Sequence, residues 1–113
     1  MAAEIIYYGA GPLPVTATFS APSDAPAMFV LSGTTTTQNN APCMTGIGMS
    51  LDGQQIGNAA LCWANNNNNH TAMMPTYIPV DNLSQGQHTI EIYAANSETD
   101  TDTNDVIQVV LIY

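Results

Sequence analysis

The sequence predicts an all-β fold: a single-domain antiparallel β-sandwich over residues 1–113. Three observations predict it. Seven prolines and eight glycines punctuate the chain at short intervals. The runs between them are rich in Val, Ile, Thr, Tyr and Phe, side chains that suit a pleated, half-buried surface. No stretch repeats apolar residues at i, i+3, i+4 and i+7, as an amphipathic helix would. A chain of 113 residues supports one core, and an apolar fraction of 45% is too high for disorder.

Eight strands are expected in order, at 4–8, 15–20, 27–35, 44–51, 54–63, 71–80, 87–94 and 106–113. Short strands at this spacing, with turn signals between them, suggest a sandwich of jelly-roll type. Asp52-Gly53 specifies one hairpin, because this dipeptide favours the two-residue type I′ turn that matches strand twist. A two-residue loop pairs residue i with 105 − i, which sets Cys43 opposite Cys62. Facing Cα atoms lie about 4.5–5.5 Å apart, within disulfide range. The alternative is two buried thiols acting as small hydrophobes. The same register sets Gly48 opposite Gly57, leaving either a groove for an aromatic side chain or a neighbouring subunit, or a bulge.

Charge is the anomaly. Charged residues make up 8%, against roughly 25% in a typical domain. There is no lysine or arginine, so nine acids stand against two histidines and give a formal net charge of −9. Phosphate recognition rests largely on Arg and Lys, so nucleic acid and anionic membrane surfaces are excluded as expected partners. No segment reaches the ~18 apolar residues of a membrane span, so no membrane insertion is expected. The N-terminus has no basic region and does not read as a signal peptide. A chain without tryptic sites suits an extracellular or cell-surface setting; the cytoplasm is the alternative.

Two segments are candidates for chemistry. Residues 64–70 hold five consecutive asparagines after Trp63. They are either a solvated loop or a hydrogen-bonding surface in which Trp63, Asn65, Asn67, Asn69 and His70 meet a sugar, amides on its hydroxyls and the indole on its C–H face. Residues 96–105 carry Glu98, Asp100, Asp102 and Asp105, with Asn104 among them. No cation in the chain offsets these carboxylates. Calcium takes six to eight oxygens, and alternating Asp100, Asp102 and Asn104 can converge on a curled loop. The loop is no EF-hand, because Asp105 stands where Gly is needed and Leu111 where Glu is. The alternative is a solvated turn whose side chains cap their own backbone.

Catalysis is not expected. Only His70 and His88 titrate near neutrality, His88 reads as structural, and no nucleophile motif or zinc spacing is present.

The stretches VTATFSAP (15–22), LDGQQIG (51–57) and LSQGQHTI (83–90), with the apolar C-terminal strand, resemble the C1q- and TNF-like jelly-roll family, bacterial and phage versions included. The resemblance implies a homotrimer used in recognition or attachment. TDTDTND (99–105) is similar to the metal loop of calcium-dependent fucose- and mannose-binding bacterial lectins, and Asp100, Asp102, Asn104 and Asp105 match that family's ligands. The chain departs from it at Asn96, where the family has a glutamate, and at Tyr113, where it ends in glycine. The expectation is a non-enzymatic, homo-oligomeric, lectin-like module for cell-surface glycan; the alternative is a structural or adhesive trimer without sugar specificity.

Overall fold

A computed structural model describes residues 2–64 and 69–113. Its strands are β1 (Ala3–Ala10), β2 (Val15–Ala21), β3 (Ala25–Thr35), β4 (Cys43–Leu51), β5 (Gln54–Ala64), β6 (Thr71–Ala72), β7 (Thr76–Leu83), β8 (Gly86–Ala94) and β9 (Val106–Ile112). They form two antiparallel sheets. The first runs β1-β9-β3, with β7 and the two-residue β6 both pairing with β3. The second runs β2-β8-β4-β5. Apart from the β4–β5 hairpin and β6, the chain changes sheet at each connection, which is the double Greek key of a jelly roll.

Strict alternation builds the core. Phe29, Leu31, Ile78, Ile107, Val109 and Leu111 point inward from the first sheet; Phe19, Ile47, Met49, Ala60, Ile90 and Ile92 meet them from the second. Phe19 sets its edge on Phe29 at 5.8 Å between ring centroids. Each large side chain buried this way stabilises the fold by about 1.5–3 kcal/mol before entropy is charged.

Two expectations about the strands are corrected. The strand expected at 71–80 is two, broken across Met73-Met74-Pro75, because proline has no N–H for a ladder. The hairpin register is also not uniform. Asp52 and Gly53 take left-handed φ values of 51° and 87°, as a type I′ turn requires, and Met49 pairs with Ile56 as expected. Beyond them a bulge lets Gly57-Asn58-Ala59 oppose Gly48 alone. Gly57 carries the bend at φ 61°. Cys43 therefore faces Ala64, and Cys62 faces Thr45. The expected Cys43–Cys62 apposition is lost and both cysteines are free thiols. They join a polar end of the core: Cys43 Sγ lies 3.4 Å from Thr37 Oγ1, Cys62 Sγ lies 3.2 Å from Thr45 Oγ1, and Thr45 bonds Thr35 at 2.7 Å.

The two outer faces differ. The second sheet presents Thr16, Thr18 and Ser20 from β2, Gln87, Thr89 and Glu91 from β8, Ser50 from β4 and Gln55 from β5. The first sheet sets Ile5, Val110, Val30 and Tyr77 in one row across β1, β9, β3 and β7.

Candidate functional site

Trp63 lies on the outer face of β5. Its neighbours Ala64 and Cys62 turn inward, so alternation turns the indole out, and it is 55% exposed. Met44 faces it across the ladder and Leu61 precedes it on the same face, both exposed. The glycines of β4 shape the floor beside them. Leu61 lies over Gly46, and Tyr93 lies over Gly48, where a Cβ would come within 2.8 Å of the ring. The room these glycines leave is thus filled by the chain's own side chains. Of the other residues expected with Trp63, Asn69 is exposed. Asn65 and Asn67 lie outside the described residues. His70 is engaged with the acidic loop.

That loop divides into two groups. Asp100 bridges Thr36 through its backbone at 2.8 and 2.9 Å, and its carboxylate accepts from Gln38 Nε2. Glu98 accepts from Asn39 Nδ2. Both carboxylates are therefore taken by amides of the 38–39 segment. Asp102 and Asp105 meet elsewhere. Asp105 is fully buried. Its Oδ1 accepts from Thr34 Oγ1 at 2.8 Å and lies 2.7 Å from His70 Nδ1, and its Oδ2 accepts the Asp102 N–H at 2.8 Å. Its backbone carbonyl accepts the Gly11 N–H at 3.0 Å. Asp102 Oδ1 accepts the Asn104 N–H at 2.7 Å. The hydrogen bond to Asp105 raises the His70 pKa, and the fields of Asp105, Asp102 and Asp100 act in the same direction.

The structure brings together part of the expected metal set. An acidic cluster exists, but it consists of Asp102 and Asp105 with His70, whose ligand atoms lie within 4.8 Å of one another. Glu98 and Asp100 are held apart from it, and Asn104 contributes its backbone N–H. Calcium needs many oxygens, and here both Asp105 oxygens already accept protein donors while the third group offers nitrogen.

The second histidine stands at the other end of the sandwich. His88 Nδ1 lies 2.6 Å from Asp52 Oδ2, and Nε2 lies 2.7 Å from the Ser84 carbonyl and 3.5 Å from Ser84 Oγ. Serine, histidine and aspartate are the residue types of a hydrolytic triad. The protonation is wrong for one. Both ring nitrogens face strong acceptors, and only an imidazolium satisfies both. The Ser84 carbonyl and the Asp52 carboxylate raise the His88 pKa, and His88 in turn lowers that of Asp52. The ring also stacks on Phe19 at 5.5 Å. Both contacts favour the protonated ring, and they tie the β4–β5 turn to Ser84.

The fold and surface define an all-β jelly-roll sandwich with one exposed tryptophan face. No family model matches the chain, and no curated protein does. Among solved structures it is similar to a family 35 carbohydrate binding module from Clostridium thermocellum, with 11% identity and TM-score 0.48, over 96% of this chain and 90% of that one. It is also similar to the CBM36-1 domain of a multidomain xylanase from the hindgut metagenome of Trinervitermes trinervoides, with 16% identity and TM-score 0.42, over 94% and 75%. An exo-beta-1,3-galactanase from Phanerochaete chrysosporium matches at 11% identity and TM-score 0.45, over 99% of this chain; the chain spans 29% of that enzyme. These are likenesses of a sandwich, and no functional argument rests on them. The C1q- and TNF-like resemblance is not confirmed, since no family model matches.

Proposed function

We propose that the chain is a non-enzymatic recognition module whose ligand is a neutral carbohydrate, stacked on Trp63 with Met44 and Leu61 extending the platform. The observation that carries this reading is the exposed indole. Elsewhere the same sheet turns Thr, Ser, Gln and Glu91 to water, and among the described residues it exposes Trp, Leu and Met only at this corner. A pyranose offers an apolar C–H face to a flat ring and hydroxyls to flanking polar groups. With a net charge of −9 and no lysine or arginine, long-range repulsion disfavours acidic sugars. The lectin-like homo-oligomer and the extracellular or cell-surface setting belong to the same reading.

The test is a glycan array followed by titration of tryptophan fluorescence. Trp63→Ala is expected to weaken binding at least tenfold, about 1.4 kcal/mol, while the folded protein melts within a few degrees of wild type. Undiminished binding by Trp63→Ala would overturn the reading. Repeating the titration in chelator is expected to change nothing.

A further inference from the structure

We propose that the outer face of the first sheet is the interface of a homodimer, closed face to face about a two-fold axis. Three rows of outward positions compose it. Ile5, Val110, Val30 and Tyr77 form the middle row; Ala3, Ile112, Met28 and Pro79 form the row on one side. Tyr8, Gln108 and Ser32 form the row on the other. None of these positions is charged. Glu4 is in register with the buried Leu111, on the inner side, and Asp81 is exposed beyond Pro79 at the far edge.

Away from the Trp63 corner, the second sheet shows how this chain treats a face left to water: it lines it with Thr, Ser, Gln and Glu91. The first sheet does the opposite. β9 is apolar inward, with Ile107, Val109 and Leu111 fully buried, and apolar outward at Val106, Val110 and Ile112, with Gln108 the one polar position. Ile5 and Tyr77 stand 69% and 62% exposed at the two ends of the middle row. A strand apolar on both faces is built to be covered on both.

Charge selects the cover. A chain with nine acids and no lysine or arginine, whose two histidines are already paired with its own aspartates, has no free side-chain cation for ion pairs between copies. Two copies can approach only where neither presents an acid, and this face meets that condition for both at once. An isologous contact sets the uncharged face against itself and leaves the acidic loop and the Glu91 side in water. A basic partner would be drawn to those acids instead. With the axis along the strands between β9 and β3, Ile5 opposes the partner's Tyr77 and Val110 opposes the partner's Val30, so that an aliphatic side chain meets an aromatic ring at each end of the row.

Size sets the strength. Four strands at about 4.8 Å and three rows at about 6.8 Å give roughly 400 Å² of flat face per copy. Roughly 800 Å² in total falls below the 1,200–2,000 Å² of stable complexes, so the dimer is a concentration-dependent one.

Sedimentation velocity of the 113-residue chain tests this over roughly 1 μM to 1 mM, the range of a weak complex. The expected mass rises from 11.9 kDa toward twice that value with concentration. The double variant Ile5→Glu/Tyr77→Glu changes two well-exposed side chains, and is expected to keep its melting curve and its glycan binding yet remain at single-chain mass. Trp63→Ala is expected to dimerise like wild type, which separates this proposal from the carbohydrate reading. Single-chain mass throughout, together with binding of an apolar dye, would show an uncovered face and overturn the proposal. So would a three-chain mass, dimerisation of the double variant, or its loss of glycan binding, which would make sugar the occupant of this face.

Discussion

The two histidine–aspartate pairs sit at opposite ends of the sandwich with their burial exchanged. At the β9 end the aspartate is buried and the histidine is not: side-chain exposure is 0% for Asp105 and 28% for His70. At the β4–β5 hairpin the histidine is buried and the aspartate is not, at 9% for His88 and 49% for Asp52. The difference lies in who supplies the remaining partners. Asp105 is an acceptor surrounded by donors, Thr34 Oγ1 and the Asp102 N–H besides His70, so the charge can be buried. His88 is a donor surrounded by acceptors, the Ser84 carbonyl and Asp52, and lies flat on Phe19. In each pair the fully bonded member goes inside and the other stays in contact with water. A chain with two histidines as its only cationic side chains spends both on closing its ends.

The sharpest way to break this comparison is at the buried aspartate. Asp105→Ala strips Thr34, His70 and the Asp102 N–H of one shared acceptor and unties the start of β9. Removing one member of a buried charged network costs about 3 kcal/mol or more, which for a domain of this size lowers the melting temperature by roughly 10 °C. Calorimetry checks it. A loss under about 1 kcal/mol would mean that the network contributes little.

The pH dependence of stability sharpens the comparison next. Both imidazoles titrate above their ordinary 6.5 in the folded chain. Their contribution is complete below 6.5 and is lost as pH rises through the folded values. Asp52 titrates below 3.8, so its contribution is present above that value and is lost as pH falls through the folded one. Thermal stability is therefore expected to be greatest between about pH 4 and pH 6.5 and to decline as pH rises above that window. His88→Gln should flatten the alkaline decline and cost about 1–2 kcal/mol in the mildly acidic window. An unchanged pH profile in that variant would assign the decline to His70 alone.

The smallest expected effect is that of metal. Glu98 and Asp100 are engaged by Asn39 and Gln38, away from Asp102 and Asp105. Calcium is expected to shift the melting temperature no more than magnesium at matched ionic strength, because both act by screening. A larger shift with calcium, abolished by Asp102→Asn, would show that the four carboxylates rearrange to converge.

Much of this was legible in the sequence because it is local. Strand alternation, the Asp52-Gly53 turn and the want of helical periodicity depend on neighbouring residues, and they hold apart from the break at Met73-Met74-Pro75 and the bulge at Gly57. Trp63 was marked by its type, and the structure leaves it exposed. What failed depended on residues far apart. The disulfide apposition required an unbroken register, and one bulge at Gly57 moved Cys62 two residues away from Cys43. The acidic loop was legible in part: Asp102 and Asp105 do cluster, joined by His70, while Gln38 and Asn39, about 60 residues away in sequence, engage Asp100 and Glu98. The partners of Asp105 were equally hidden, since Thr34 and His70 come from other strands and loops.

The sequence by itself determined that this chain folds as a charge-poor, all-β sandwich with no lysine or arginine to pair its acids, because composition and period-two patterning act residue by residue. Only the tertiary structure decided which acid is buried, which histidine holds it, and which sheet face stays apolar toward solvent. Those outcomes depend on which donors and acceptors the jelly-roll crossings bring together, and sequence spacing does not encode such meetings.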